Sequence, residues 1–65
     1  MYVWQWQDHT LTWRNYDSKI SEFLNKMYKP NIRTMIQIHY EIDFKAMTEE
    51  NIQTGLKRNI RRIQT

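Results

Sequence analysis

Residues 34–44 read TMIQIHYEIDF, and no other stretch limits the fold so tightly. Ile36, Ile38, Tyr40, Ile42 and Phe44 fall on one side; Met35, Gln37, His39, Glu41 and Asp43 fall on the other. That is the period of a strand with one covered face. The run is long beside a usual strand of about 5–6 residues, so a hairpin reversal is expected within it. No Gly, Asn or Pro marks the place. A sheet with one apolar face needs a cover, and one candidate exists. In SKISEFLNKMY, residues 18–28, Ile20, Phe23, Leu24, Met27 and Tyr28 recur with helical spacing. Lys19, Glu22, Asn25 and Lys26 occupy the opposite side. Asp17 and Ser18 are N-cap candidates, and Pro30 stops the helix by excluding its predecessor from helical geometry.

Tyr2 to Gln7 and Leu11 to Tyr16 read as two further strands joined across the polar turn Asp8-His9-Thr10. Arg58 to Ile63 reads as a last strand after Gly55, and TEENIQT, between Met47 and Gly55, as a polar loop with room for a turn of helix. The sum is an α+β fold: a curled antiparallel sheet of five or six short strands wrapping one amphipathic helix, residues 1–65 forming one domain at most.

A core this small supplies about 3–5 kcal/mol and usually needs staples. With no cysteine, disulfides and thiolate metal sites are excluded, and His9 and His39 are too few for a zinc site. Neither a metal nor a cofactor is expected. Aromatic rings are the remaining device, each burying roughly 150–250 Å². Three tryptophans and two tyrosines fall within the first sixteen residues. Trp4 and Tyr16 are expected in the core; on the residues alone, Trp6 and Trp13 are open between core and pocket wall. Met47 is expected as a core plug, since a flexible thioether fills irregular gaps. His9 and His39 are expected to be exposed.

A cysteine-free chain suits a reducing, intracellular setting, nucleus or cytoplasm, and no apolar run is long enough for a signal peptide or membrane span. Net charge is +3, and GLKRNIRRIQT at 55–65 contains Lys57, Arg58, Arg61 and Arg62 without an acid. Such a segment suits an anionic partner, or an edge strand whose cations block sheet-to-sheet association. Catalysis is not expected. Asp8 and His9 have no Ser or Cys nucleophile placed by a recognisable signature, Glu49 and Glu50 read as a solvated pair, and one glycine cannot build a phosphate loop. Rings beside cations do suit a nucleobase attached to phosphate, with stacking contributing about 1–3 kcal/mol per base. Here they lie at opposite ends of the chain and meet only if the first and last strands are close in space.

The order W-x-W-x-D, W-x-x-Y-D, amphipathic helix, Y-x-I-D-F-x-x-M, T-G and basic I-R-R closely resembles the WWE domain. Its positions here are Trp4, Trp6, Asp8, Trp13, Tyr16, Asp17, Tyr40, Ile42, Asp43, Phe44, Met47, Thr54-Gly55 and Ile60-Arg61-Arg62. The resemblance implies a half-barrel sheet around one helix and a non-catalytic recognition module. Such domains occur in ubiquitin ligases and in ADP-ribosyltransferases of the poly(ADP-ribose) polymerase type. Several bind ADP-ribose moieties of poly(ADP-ribose), as internal iso-ADP-ribose or terminal ADP-ribose. Carried over, the family pocket falls on Trp6 and Trp13 as aromatic wall, Tyr40 and Arg58 near the phosphates, and Glu49 at the adenine edge. Binding members often have glutamine at the position of Glu49. A carboxylate accepts from the adenine amino group but has no N–H to offer, a loss of about 1–3 kcal/mol.

The expected partner is therefore poly(ADP-ribose) or an ADP-ribosylated protein, with no membrane. The alternative is a protein-interaction or scaffolding module whose pocket is unused or altered, for which Glu49 speaks. A third reading, RNA binding through Lys57 to Arg62, predicts steep salt dependence.

Overall fold

The computed structural model describes every residue from Met1 to Thr65. In chain order the elements are β1 (Tyr2–Gln7), β2 (Trp13–Asn15), α1 (Ser18–Met27), β3 (Arg33–Ile36), β4 (Tyr40–Asp43), β5 (Thr48–Asn51) and β6 (Lys57–Gln64). One open antiparallel sheet of six strands runs β2-β1-β6-β5-β4-β3, a half-barrel with the helix on one face. The first and last strands are neighbours, so the two chain ends do meet. β6 is central and not an edge strand, which corrects the reading of its cations as edge protection. It changes partner along its length. Residues 60–64 pair with β1, residues 57–59 with β5. Beside its first half, β1 has already turned away at Asp8.

The core is Trp4, Tyr16, Leu24, Ile36, Ile42, Phe44 and Ile60. Trp4 lies at its centre, with ring centroids 5.5 Å from Phe44 and 5.7 Å from Tyr28. Burying an indole also buries polar groups, and the helix supplies their partners. The Trp4 backbone N–H donates to Ser21 Oγ (3.0 Å) and its indole N–H to Asn25 Oδ1 (2.9 Å), while Asn25 Nδ2 donates to the Tyr2 carbonyl (2.8 Å). The helix is accordingly rotated from the expected stripe. Ser21 is buried and Asn25 half-buried, whereas Phe23 is 39% exposed. Asp17 caps the helix, accepting from Lys19 N–H at 2.9 Å, as expected.

The hairpin hidden in residues 34–44 turns at Gln37, Ile38 and His39, closing on the pair Ile36–Tyr40. Gln37 takes φ 53°, the left-handed geometry usually left to Gly or Asn. The reversal throws Ile38, expected beside Ile36, out to 80% exposure, and leaves His39 half-buried instead of exposed. The segment read as a polar loop contains β5, held between β4 and β6. Glu49 is thereby buried, which overturns its reading as half of a solvated pair. β2 is only Trp13–Asn15, because the turn runs on through Leu11 at φ 65°. Met47 packs half-buried against the core. No helix is long and apolar enough to cross a membrane.

Candidate ligand-binding cleft

A cleft of about 660 Å³ opens where β1 leaves β6, within the range of small-molecule sites. Register sets its lining. Trp6 lies opposite Ile60 on β6 and Arg14 on β2; Glu49 lies opposite Arg58 and Ile42. Trp6, Arg14, Tyr40, Glu49 and Arg58 therefore share the face that lines the cleft. Lys57 and His9 stand at its rim, and Leu11 (73% exposed) and Leu56 (70%) form its lips. A second hollow of about 210 Å³, reaching Asp17 and Ile20 of the helix entry, shares Trp6, Tyr40, Glu49 and Arg58.

Both carboxylates of the cleft are committed internally. Asp8 accepts from Thr10 Oγ1 (2.6 Å), Thr10 N–H (2.9 Å), Thr12 N–H (3.1 Å) and Arg14 Nε (2.6 Å). The Thr10 hydroxyl and then Arg14 hold its carboxyl well below the usual carboxylate range. Glu49, 2% exposed, accepts from the Tyr16 hydroxyl on Oε1 (2.8 Å) and from Arg58 Nε on Oε2 (2.6 Å), with Arg58 Nη2 forming an ion pair to the same oxygen. Arg58 Nη1 has no protein partner. The guanidinium carbon lies 4.0 Å from the Trp6 ring centroid and 5.9 Å from that of Tyr40, so the cation covers one face of the indole. Burial, and then the charge of Glu49, push the Tyr16 hydroxyl far above its ordinary value and keep it a donor.

Four of the five expected site residues, Trp6, Tyr40, Glu49 and Arg58, thus meet in one place. Trp13 does not. It pairs with Gln7, faces the opposite side of the sheet and lies under Arg61, whose guanidinium carbon is 4.2 Å from its ring. The strand period presents Arg14, not Trp13, to the cleft. Glu49 is also not a free edge for a base, since its oxygens are occupied by Tyr16 and Arg58. Arg14 and Lys57 also line the cleft. For Arg14 the alternation of β2 carried the signal, but only the register reveals which parity faces inward; Lys57, opposite Glu50 and of the other parity from Arg58, reaches the cleft from the end of β6, which no alternation signals. The basic segment is similarly divided. Arg62 lies 4.1 Å from both the Tyr2 and Tyr28 rings on the helix side, Arg61 on the other.

No curated protein matches the chain well enough to count as a relative. The family model for the WWE domain matches residues 2–62, a span that takes in the helix, the first five strands and most of β6. A half-barrel of six strands around one helix, matched over nearly its whole length, establishes that this chain belongs to the WWE domain family, whose members are protein-interaction modules.

Proposed function

We propose that the cleft binds ADP-ribose moieties of poly(ADP-ribose), free or on an ADP-ribosylated protein, in an intracellular setting. The observation that carries this reading is Arg58, which lines the cleft with its guanidinium against Trp6 and near Tyr40, and whose Nη1 makes no hydrogen bond within the protein. A guanidinium edge beside aromatic rings fits phosphate oxygens next to a nucleoside. With Asp8 and Glu49 neutralised by arginines, Lys57 at the rim adds uncompensated positive charge. The volume accommodates a nucleoside diphosphate sugar in part or whole. Titration with ADP-ribose and iso-ADP-ribose should quench tryptophan emission saturably, through Trp6. Arg58→Ala should weaken binding at least tenfold, and Trp13→Phe should leave the affinity within about twofold. Flat titrations with both compounds and with the polymer refute the proposal.

A second reading, a protein-interaction module with an unused pocket, is favoured by one observation. Arg58 covers the Trp6 face, and Glu49, 2% exposed, already accepts from Tyr16 and Arg58. It predicts a folded domain silent to all three ligands. The RNA reading is less favoured, because β6 divides its cations between two faces and stacks Arg61 and Arg62 on rings.

A further inference from the structure

The cleft holds an arginine whose carboxylate partner is almost wholly buried, and that carboxylate can act in two opposed ways. It can compete with an incoming anion for Arg58, or hold Arg58 ready for it. Magnitudes decide between them. An anion that drew Arg58 away would leave Glu49, 2% exposed, without its only cationic partner. Breaking a buried pair in that way costs a few-hundred-fold or more in an equilibrium constant. An anion that approaches Nη1 costs nothing of the kind, because Nε and Nη2 satisfy Glu49 and Nη1 is left over.

We infer that Glu49 is a positioning residue for Arg58, with Tyr16 behind it: together they pin the guanidinium flat on Trp6 with its Nη1 edge toward the cleft. The inference rests on the anion-binding reading of the cleft and assigns Glu49 a role other than contact with a base. The three residues come from different parts of the half-barrel. Glu49 and Arg58 are cross-strand partners on β5 and β6. Tyr16 follows β2 at the far edge, and its own N–H donates to the Trp4 carbonyl at 3.0 Å, which ties the support to the centre of the core. The Tyr16 hydroxyl reaches Glu49 Oε1 while Arg58 occupies Oε2, so neither oxygen can swing toward the cleft without breaking a bond. Preorganisation of this kind raises affinity by removing the cost of ordering a long side chain on binding.

The test compares wild type with Glu49→Gln, Glu49→Ala and Tyr16→Phe, using inorganic pyrophosphate and ADP-ribose as probes. Glutamine keeps an oxygen for Arg58 Nε and removes the negative charge, so it should bind both anions as tightly as wild type or more tightly. Alanine removes the anchor and should bind at least tenfold more weakly, with urea titration verifying that it is folded. Tyr16→Phe, which leaves the cleft lining untouched, should weaken binding about threefold. Without any ligand, the Arg58 Nε–H resonance should exchange slowly in wild type and in Glu49→Gln, and as fast as an exposed arginine in Glu49→Ala. Alanine binding equal to or tighter than wild type overturns this inference alone, as does a fast-exchanging Arg58 in wild type. Silence of wild type toward both anions overturns it together with the proposed function.

Discussion

Replacing Tyr16 by Phe removes one oxygen and nothing else of consequence. The ring stays in the core, so burial is unchanged, and the effect isolates the bond from the hydroxyl to Glu49 Oε1 (2.8 Å). A hydrogen bond to a charged group contributes about 1.5–3 kcal/mol. Glu49 retains Arg58, so the larger loss of about 3–5 kcal/mol for a stranded buried charge does not apply. The expected cost is therefore about 2 kcal/mol. At roughly 0.05–0.15 kcal/mol per residue, 65 residues give a total of about 3–10 kcal/mol; the loss is a large share of it. Urea unfolding followed by tryptophan emission should show a midpoint lower by about 2 M if m is near 1 kcal/mol/M, and the melting temperature should fall by about 8–16 °C. Combined with Glu49→Gln in a double-mutant cycle, the coupling should be about 1 kcal/mol. A loss below about 0.5 kcal/mol, in the range of ordinary surface changes, or no coupling, would refute the view that the hydroxyl acts through the carboxylate.

The same tyrosine predicts an alkaline signature. Burial and the Glu49 charge raise its folded-state value, so the native state keeps a proton that the unfolded chain releases above about pH 10. Its stabilisation is intact below about pH 10 and is lost as pH rises further, by about 1.4 kcal/mol per unit; the stability gap of about 2 kcal/mol between wild type and Tyr16→Phe should therefore narrow from about pH 10 and close at about pH 11.5, and a constant gap would contradict the assignment. At the hairpin tip, Gln37 pays for a left-handed φ of 53°. Glycine relieves about 1–2 kcal/mol of that conformation and returns about 0.5–1 as unfolded-state entropy, so Gln37→Gly should raise the melting temperature by a few degrees; a decrease would show that the side chain contributes more than its backbone costs.

How much of the site was legible depends on what kind of signal each residue left. The alternation of Trp4 and Trp6 puts both on one side of β1 wherever that strand lies, and Trp6 duly lines the cleft. Trp13 is a different case. Its side depends on how many residues the turn after Gln7 consumes, and Leu11 adopts a positive φ that no composition rule signals. A one-residue change of parity exchanges every side chain between faces, and that exchange placed Arg14 in the cleft and Trp13 behind it. Glu49 was misread because an acidic pair ordinarily means solvent, whereas a carboxylate with two strong internal donors tolerates burial.

Local periodicity, read from the chain alone, determined that a sheet with one apolar face would wrap one short helix, and that Pro30 would end that helix, because side-chain spacing and proline sterics act over a few residues and need no partner. Tertiary structure alone decided that β6 is central, that the helix turns Ser21 and Asn25 toward Trp4, and that Tyr16, Glu49 and Arg58 converge. These outcomes depend on register and on satisfying buried polar groups, and both are properties of pairs of segments far apart in the chain. Tyr16 and Glu49 stand 33 residues apart in the chain and 2.8 Å apart in space.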